Sequence, residues 1–225
     1  SFLRFGSFEI FAARNELAEL ETLLKFVIRN YFPHLGEPCP ETYVTFFQEV
    51  VETTAEMVAQ WQRVGFVHGV MNTDNMNVSG ETIDYGPYGW LEGYDPGWTP
   101  NTTDAQGRRY RFGTQPQAAY WNLGRLAQAL SPLFADVAPL QAGLAAYQST
   151  FVACTRRDAA AKLGLAAADD GDDDLEDADS VAVVAAAGGQ WSRAAGAAAA
   201  VVGARCRSGA CTCCSRYESI ILFET

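Results

Sequence analysis

A mainly α fold with one small β-hairpin is predicted for this chain by three observations. Several segments carry apolar residues at the i, i+3, i+4 spacing of a buried helix face. Breaker-rich stretches at residues 36–40, 94–113 and 131–132 separate them. Nearly half of the residues are hydrophobic and five are Trp, ample for a packed core.

Residues 2–11 are aromatic-rich around Gly6, which reads as a turn or short strand leading into a helix. Arg4 lies between aromatics there. It is placed either to meet an anion or to lay its aliphatic stem on Phe with its head in water. Asn15-Glu16 starts a helix with Leu17, Leu20, Leu23, Leu24, Val27 and Ile28 in register, and Pro33 stops it. His34, just beyond, reads as a solvated loop residue. A longer helix over about residues 41–63 puts Val44, Phe47, Val51, Met57, Val58 and Trp61 on or near one face. Its Phe, Met and Trp read as core.

Residues 94–113 carry Gly, Pro, Asn or Asp at nearly every second position and read as a long irregular loop. Its aromatics Tyr94, Trp98, Tyr110 and Phe112 argue that it is ordered. Gln115-Pro116 opens a helix with Pro near its first position. Tyr120, Leu123, Leu126, Ala127 and Leu130 give that helix its expected buried stripe, and Ser131-Pro132 ends it. Residues 139–165 are expected to form one further helix, with Leu140, Leu144, Tyr147 and Phe151 in register.

Composition changes near residue 165. Asp169, Asp170, Asp172, Asp173, Asp174, Glu176, Asp177 and Asp179 hold much of the net charge of −11, so the acidity says little about partners. No basic stripe appears, and no nucleic-acid partner is expected. Two domains are expected: a folded lobe over residues 1–165, and an acidic then Ala/Gly/Cys-rich divergent tail over residues 166–225, poorly ordered. Of the six cysteines, Cys206, Cys211, Cys213 and Cys214 fall in that tail without the paired C-x-x-C spacing of a zinc site. The apolar runs at 181–189 and 194–204 each fall short of the roughly 20 residues a span needs. No transmembrane helix and no membrane partner are expected. The chain opens at Ser1 with no initiator Met and no cleavage pattern, so it is expected to be an internal piece of a longer protein.

The chemistry lies in residues 65–90, GFVHGVMNTDNMNVSGETIDYGPYGW. His68-Gly69-Val70 is followed by Asn75 and then by Ile83-Asp84-Tyr85-Gly86. Kinase-like phosphoryl-transfer folds hold nucleotide-bound magnesium with an Asn closing the catalytic loop and an Asp in a D-F-G triplet. Asn75 and Asp84 occupy those two slots, and residues 76–82 have the length and Gly of a hairpin bringing them together. The base Asp of the H-R-D or H-G-D motif is replaced by Val70. Asp74 is the nearby carboxylate that stands in. Taken singly, Asn75 reads equally as a turn residue, and Asp74 as an Asx-turn or helix cap. His68 reads as a brace for the loop rather than a base, since Gly69 beside it points to a tight backbone turn.

The longer wording of HGVMNTDNM, TIDYGPYGWLEGYDP and QGRRYRFGTQPQAAYWNLGRLAQAL, with SFLRFGSFEIFAARNE upstream, resembles the selenoprotein O family. Members of that family are pseudokinases that act as protein AMPylators. The resemblance covers residues 1–132 closely and thins toward 165. It implies the C-terminal lobe of a protein-kinase-like fold, without the N-terminal lobe that carries the glycine-rich loop and ATP-binding lysine. It implies that Asp74 accepts the proton of a target hydroxyl, that Asn75 and Asp84 ligate Mg2+, and that Asp84 also touches the nucleotide. Arg4 matches the second of two arginines that grip the phosphates. ATP would lie flipped relative to protein kinases, and AMP would pass to Ser, Thr or Tyr of a protein substrate as pyrophosphate leaves. Alone, the chain is expected to bind ATP weakly and to be inactive. Two other readings stand beside this one. A pseudokinase fragment would serve as a binding module without catalysis, and a small-molecule phosphotransferase of the aminoglycoside-kinase type is disfavoured by Val70. Relatives are mitochondrial in eukaryotes and cytoplasmic in bacteria, so the expected compartment follows the source. The Cys-x-x-selenocysteine end of many eukaryotic members is not matched by the sequence around Cys211 and Cys214.

Overall fold

A computed structural model of the chain describes residues 3–163; the expected tail, with its acidic run and four of its cysteines, lies outside the described residues. The regular structure consists of helices α1 (Phe5–Ala13), α2 (Leu17–Tyr31), α3 (Pro40–Val64), α4 (Gln115–Leu130) and α5 (Ala138–Leu163), with strands β1 (Phe66–Val67) and β2 (Gly89–Trp90). The chain is therefore mainly helical, as its periodicity predicts. Among the described residues no helix is long and apolar enough to cross a membrane.

Sequence chemistry accounts for the helix limits. In α2, Leu20, Leu24, Val27 and Ile28 point inward and are fully buried. α3 opens with Pro at its first position, where the missing N–H costs no hydrogen bond. Cys39 precedes it as cap, its N–H donating to Thr42 Oγ1 at 2.7 Å. The helix ends at Gly65, and the chain passes directly into β1. α5 lies along α3, and α1 packs on α4. Phe5 and Phe8 of α1, Phe46 and Phe47 of α3, and Leu123 and Leu126 of α4 belong to one continuous buried core. Phe46 also meets Phe32 edge-to-face at 5.0 Å.

Three expectations are corrected. The aromatic segment at 2–11 is not a turn leading into a later helix: α1 begins at Phe5, because Phe5 and Phe8, three apart, share a fully buried face. Tyr120 leaves the stripe of α4 and is 47% exposed, because that helix turns Ala119, Leu123 and Leu126 inward. Residues 76–82 do not form a hairpin. The two strands come instead from the ends of the motif region, antiparallel, with Phe66 opposite Trp90 and Val67 opposite Gly89. The segment after Asn75 pairs with the entry to α1: the Phe5 N–H donates to the Met76 carbonyl and the Val78 N–H to the Leu3 carbonyl, both at 3.0 Å.

Candidate active site

The site is built on the excursion between β1 and β2. His68 follows β1 and is fully buried. Its Nε2 donates to the Ile83 carbonyl at 2.7 Å, and its Nδ1 accepts from the Val70 N–H at 3.4 Å. One ring thus ties the turn at Val70 to the residue preceding Asp84, the bracing role its neighbours indicate. Gln115 at the start of α4 straddles β1, accepting from the His68 N–H at 3.0 Å and donating to the Phe66 carbonyl at 2.9 Å. Asn122, two turns on, donates to the Met71 carbonyl at 2.7 Å.

Burial pushes the His68 pKa below its ordinary value, against the opposing pull of the Ile83 carbonyl. A proton on Nδ1 would face the Val70 N–H. The unfolded chain takes up that proton near pH 6.5, while the folded ring resists it, so this contribution to stability is full above that pH and declines below it. We expect the unfolding midpoint in urea to fall between pH 7 and 5.5. The fall should be shallower in His68→Gln; an equal slope in both proteins would show that His68 is not responsible.

The loop from Asn72 to Asn75 makes a single 3-10 turn. Asn72 Oδ1 accepts from the Asp74 N–H at 3.1 Å, and the Asn75 N–H donates to the Asn72 carbonyl at 3.0 Å. The Asx-turn role is therefore taken by Asn72 and not by Asp74. The Asp74 side chain is exposed and, among the described residues, accepts no hydrogen bond. Asn75 Nδ2 donates to the Val70 carbonyl at 2.9 Å, which fixes the amide and leaves Oδ1 without a donor among the described residues.

Asp84 adopts a left-handed backbone, φ +55°, a conformation uncommon for residues with a side chain and one that Asp tolerates better than most. Its carboxylate meets Arg4 Nη2 at 3.0 Å through either oxygen, with the two side chains 34% and 41% exposed. Arg4 thus binds a carboxylate here, and its backbone bridges to Asn77. The expected residues are joined by short links. Asn75 bonds to Val70, Val70 to His68, His68 to the residue before Asp84, and Asp84 to Arg4.

Among the described residues no group of three His, Cys, Asp or Glu is arranged to hold a metal ion. Asn75 Oδ1 and the Asp84 carboxylate are hard oxygen donors. Donors of that kind are the ones that hard cations such as Mg2+ take. Sequence reasoning missed Gln115 and Asn122. A signal was present, since both are polar residues seven apart on the face of α4 that also carries Ala118 and Ala119.

The sequence model of a family described as protein adenylyltransferase SelO matches residues 1–186. A protein of Xanthomonas oryzae pv. oryzae (strain MAFF 311018) named protein nucleotidyltransferase YdiU is 63% identical over 178 residues, 79% of this chain and 34% of that protein. One of the same name from Xanthomonas euvesicatoria pv. vesicatoria (strain 85-10) is 64% identical over 178 residues, with the same 79% and 34% coverage. A third, from Xanthomonas campestris pv. campestris (strain 8004), is 63% identical over 172 residues, 76% of this chain and 33% of that protein. The chain spans about a third of the length of the curated relatives it matches.

Proposed function

Because the chain belongs to the SelO protein adenylyltransferase family, we propose that it carries the catalytic loop of an enzyme that transfers AMP from ATP to Ser, Thr or Tyr hydroxyls of proteins. The fold is read as the C-terminal lobe of a kinase-like architecture. Supporting that reading is the order of a long helix α3, a loop ending at Asn75, the Asp84 turn, and α4 packed beneath.

The observation that carries the proposal is the entry to α1, which sets Arg4 on Asp84 and at the same time lies against the turn that bears Asp74. In the reaction the acceptor oxygen attacks the α-phosphorus, its proton passes to the Asp74 carboxylate, and the bond from the α-phosphorus to the bridging oxygen breaks to release pyrophosphate. Arg4 would hold the phosphates through charge-assisted hydrogen bonds. Asn75 and Asp84 would hold Mg2+, which supplies further neutralisation of the developing negative charge. The Arg4–Asp84 pair keeps both charges compensated, and on nucleotide binding Arg4 would turn to the phosphates and Asp84 would be left to hold the cation. This chemistry does not need an acid in the position that Val70 occupies.

The test is mass spectrometry of full-length protein incubated with Mg2+, ATP and candidate protein acceptors. Ser, Thr or Tyr side chains gaining AMP, with release of pyrophosphate, is the expected result. Gain of phosphate, or transfer to a small molecule only, would overturn the assignment in favour of a phosphotransferase.

A further inference from the structure

We propose that Gly6 is a positioning residue for Asp74, a seat kept free of side-chain atoms so that the carboxylate can rest on the first turn of α1. The proposal deepens the AMP-transfer reading above and rests on it for the role of Asp74. A Cβ built on Gly6 would lie 2.1 Å from Asp74 Oδ1, 3.1 Å from its Cγ and 3.6 Å from its Cα. The carboxylate therefore occupies the volume that any other residue would fill.

The usual reason for glycine does not apply here. Gly6 is absent from the residues with positive φ, and it sits as the second residue of a nine-residue helix. Its backbone is one that alanine adopts with better helix propensity than glycine. Space is the property that the position requires. The approach of the two segments is fixed, since Phe5 N–H is bound to the Met76 carbonyl and Val78 N–H to the Leu3 carbonyl, each at 3.0 Å. Those bonds fix the height of α1 against the segment following Asn75. One turn of helix thereby registers two groups at once, Asp74 over Gly6 and Asp84 against Arg4.

The nature of the obstructing atom predicts what a methyl group would do. Oδ1 is the far end of an exposed side chain that accepts no hydrogen bond among the described residues. The added carbon should move the carboxylate and leave the helix in place. Gly6→Ala is expected to lower kcat for AMP transfer about 10- to 100-fold through misplacement of the base. The KM for ATP should stay within about twofold and the melting temperature should be unchanged or higher.

The test is a cycle of Gly6→Ala, Asp74→Asn and the double variant in full-length protein, read as kcat, KM for ATP and melting temperature. It is joined by 13C-carboxyl NMR of Asp74 in the 225-residue chain with and without Gly6→Ala. If Gly6 acts through Asp74, its substitution adds nothing once Asp74 is Asn, and the Asp74 carboxyl resonance moves in the Ala variant. An equal loss from Gly6→Ala on both backgrounds, or a loss that tracks a lowered melting temperature, would overturn the proposal. So would an unmoved Asp74 resonance. Absence of AMP transfer in the unsubstituted protein together with a moved resonance would refute the reaction, and with it a positioning role in that reaction, while leaving the contact itself proved.

Discussion

Asp74→Asn is expected to lower the rate of AMP transfer about 1,000-fold, within the range that a positioned general base contributes. The substitution keeps the shape of the side chain and removes its ability to take a proton. The loop should not notice, because its turn is held by Asn72 Oδ1 on the Asp74 backbone N–H and by Asn75 Nδ2 on the Val70 carbonyl. Affinity for Mg-ATP should stay within about twofold, since the ion and phosphate contacts are assigned to Asn75, Asp84 and Arg4. Single-turnover transfer with calorimetry of nucleotide binding checks both halves. A loss smaller than about tenfold would remove Asp74 from the proton-accepting role.

The second large effect concerns the backbone. Gly69 has φ +81°, and a Cβ there would lie 2.4 Å from the Pro87 carbonyl oxygen and 3.1 Å from Pro100 Cγ. Both the left-handed conformation and the contact penalise a side chain. Together they predict a cost of about 2–5 kcal/mol for Gly69→Ala. That corresponds to a drop in melting temperature of roughly 10 °C for a folded region of this size. The Pro87 carbonyl cannot yield as a carboxylate tip does, because the chain around it is held by the Tyr88 N–H on the Gly86 carbonyl at 2.9 Å and runs at once into β2. A thermal melt displaced by less than about 2 °C would show that residues 86–88 move freely. Gly6 and Gly69 thus receive the same added carbon with opposite expected results, one functional and one structural.

Much of the fold is legible in the sequence. α2, α3, α4 and α5 follow from apolar periodicity, because long amphipathic helices leave that mark on a sequence. The bracing role of His68 is legible from Gly69 beside it, and its ring does join Val70 to Ile83; spacing singles out Asn75 and Asp84, whose side chains bond to the Val70 carbonyl and to Arg4 respectively. The small sheet was misplaced because strands two residues long have no period to detect. α1 was read late because a glycine beside aromatics resembles a turn, and the space it leaves for Asp74 is a tertiary fact. Likewise the Arg4–Asp84 pair joins residues 80 apart in the chain. The left-handed Asp84 backbone had no signature at all, since Asp is common in ordinary turns.

The pairing of β1 with β2 has a consequence for dynamics. Residues 68–88, which hold nearly the whole reactive segment, leave and rejoin the scaffold where Phe66 lies opposite Trp90 and Val67 opposite Gly89. Within that span Met71, Met76 and Val78 belong to the buried core, whereas residues 84–88 are exposed. Amide hydrogen exchange should therefore be fast across 84–88 and slow at Val78, whose N–H is bonded to the Leu3 carbonyl. The half that carries Asp84 can breathe while the half that carries Asn75 stays with the core.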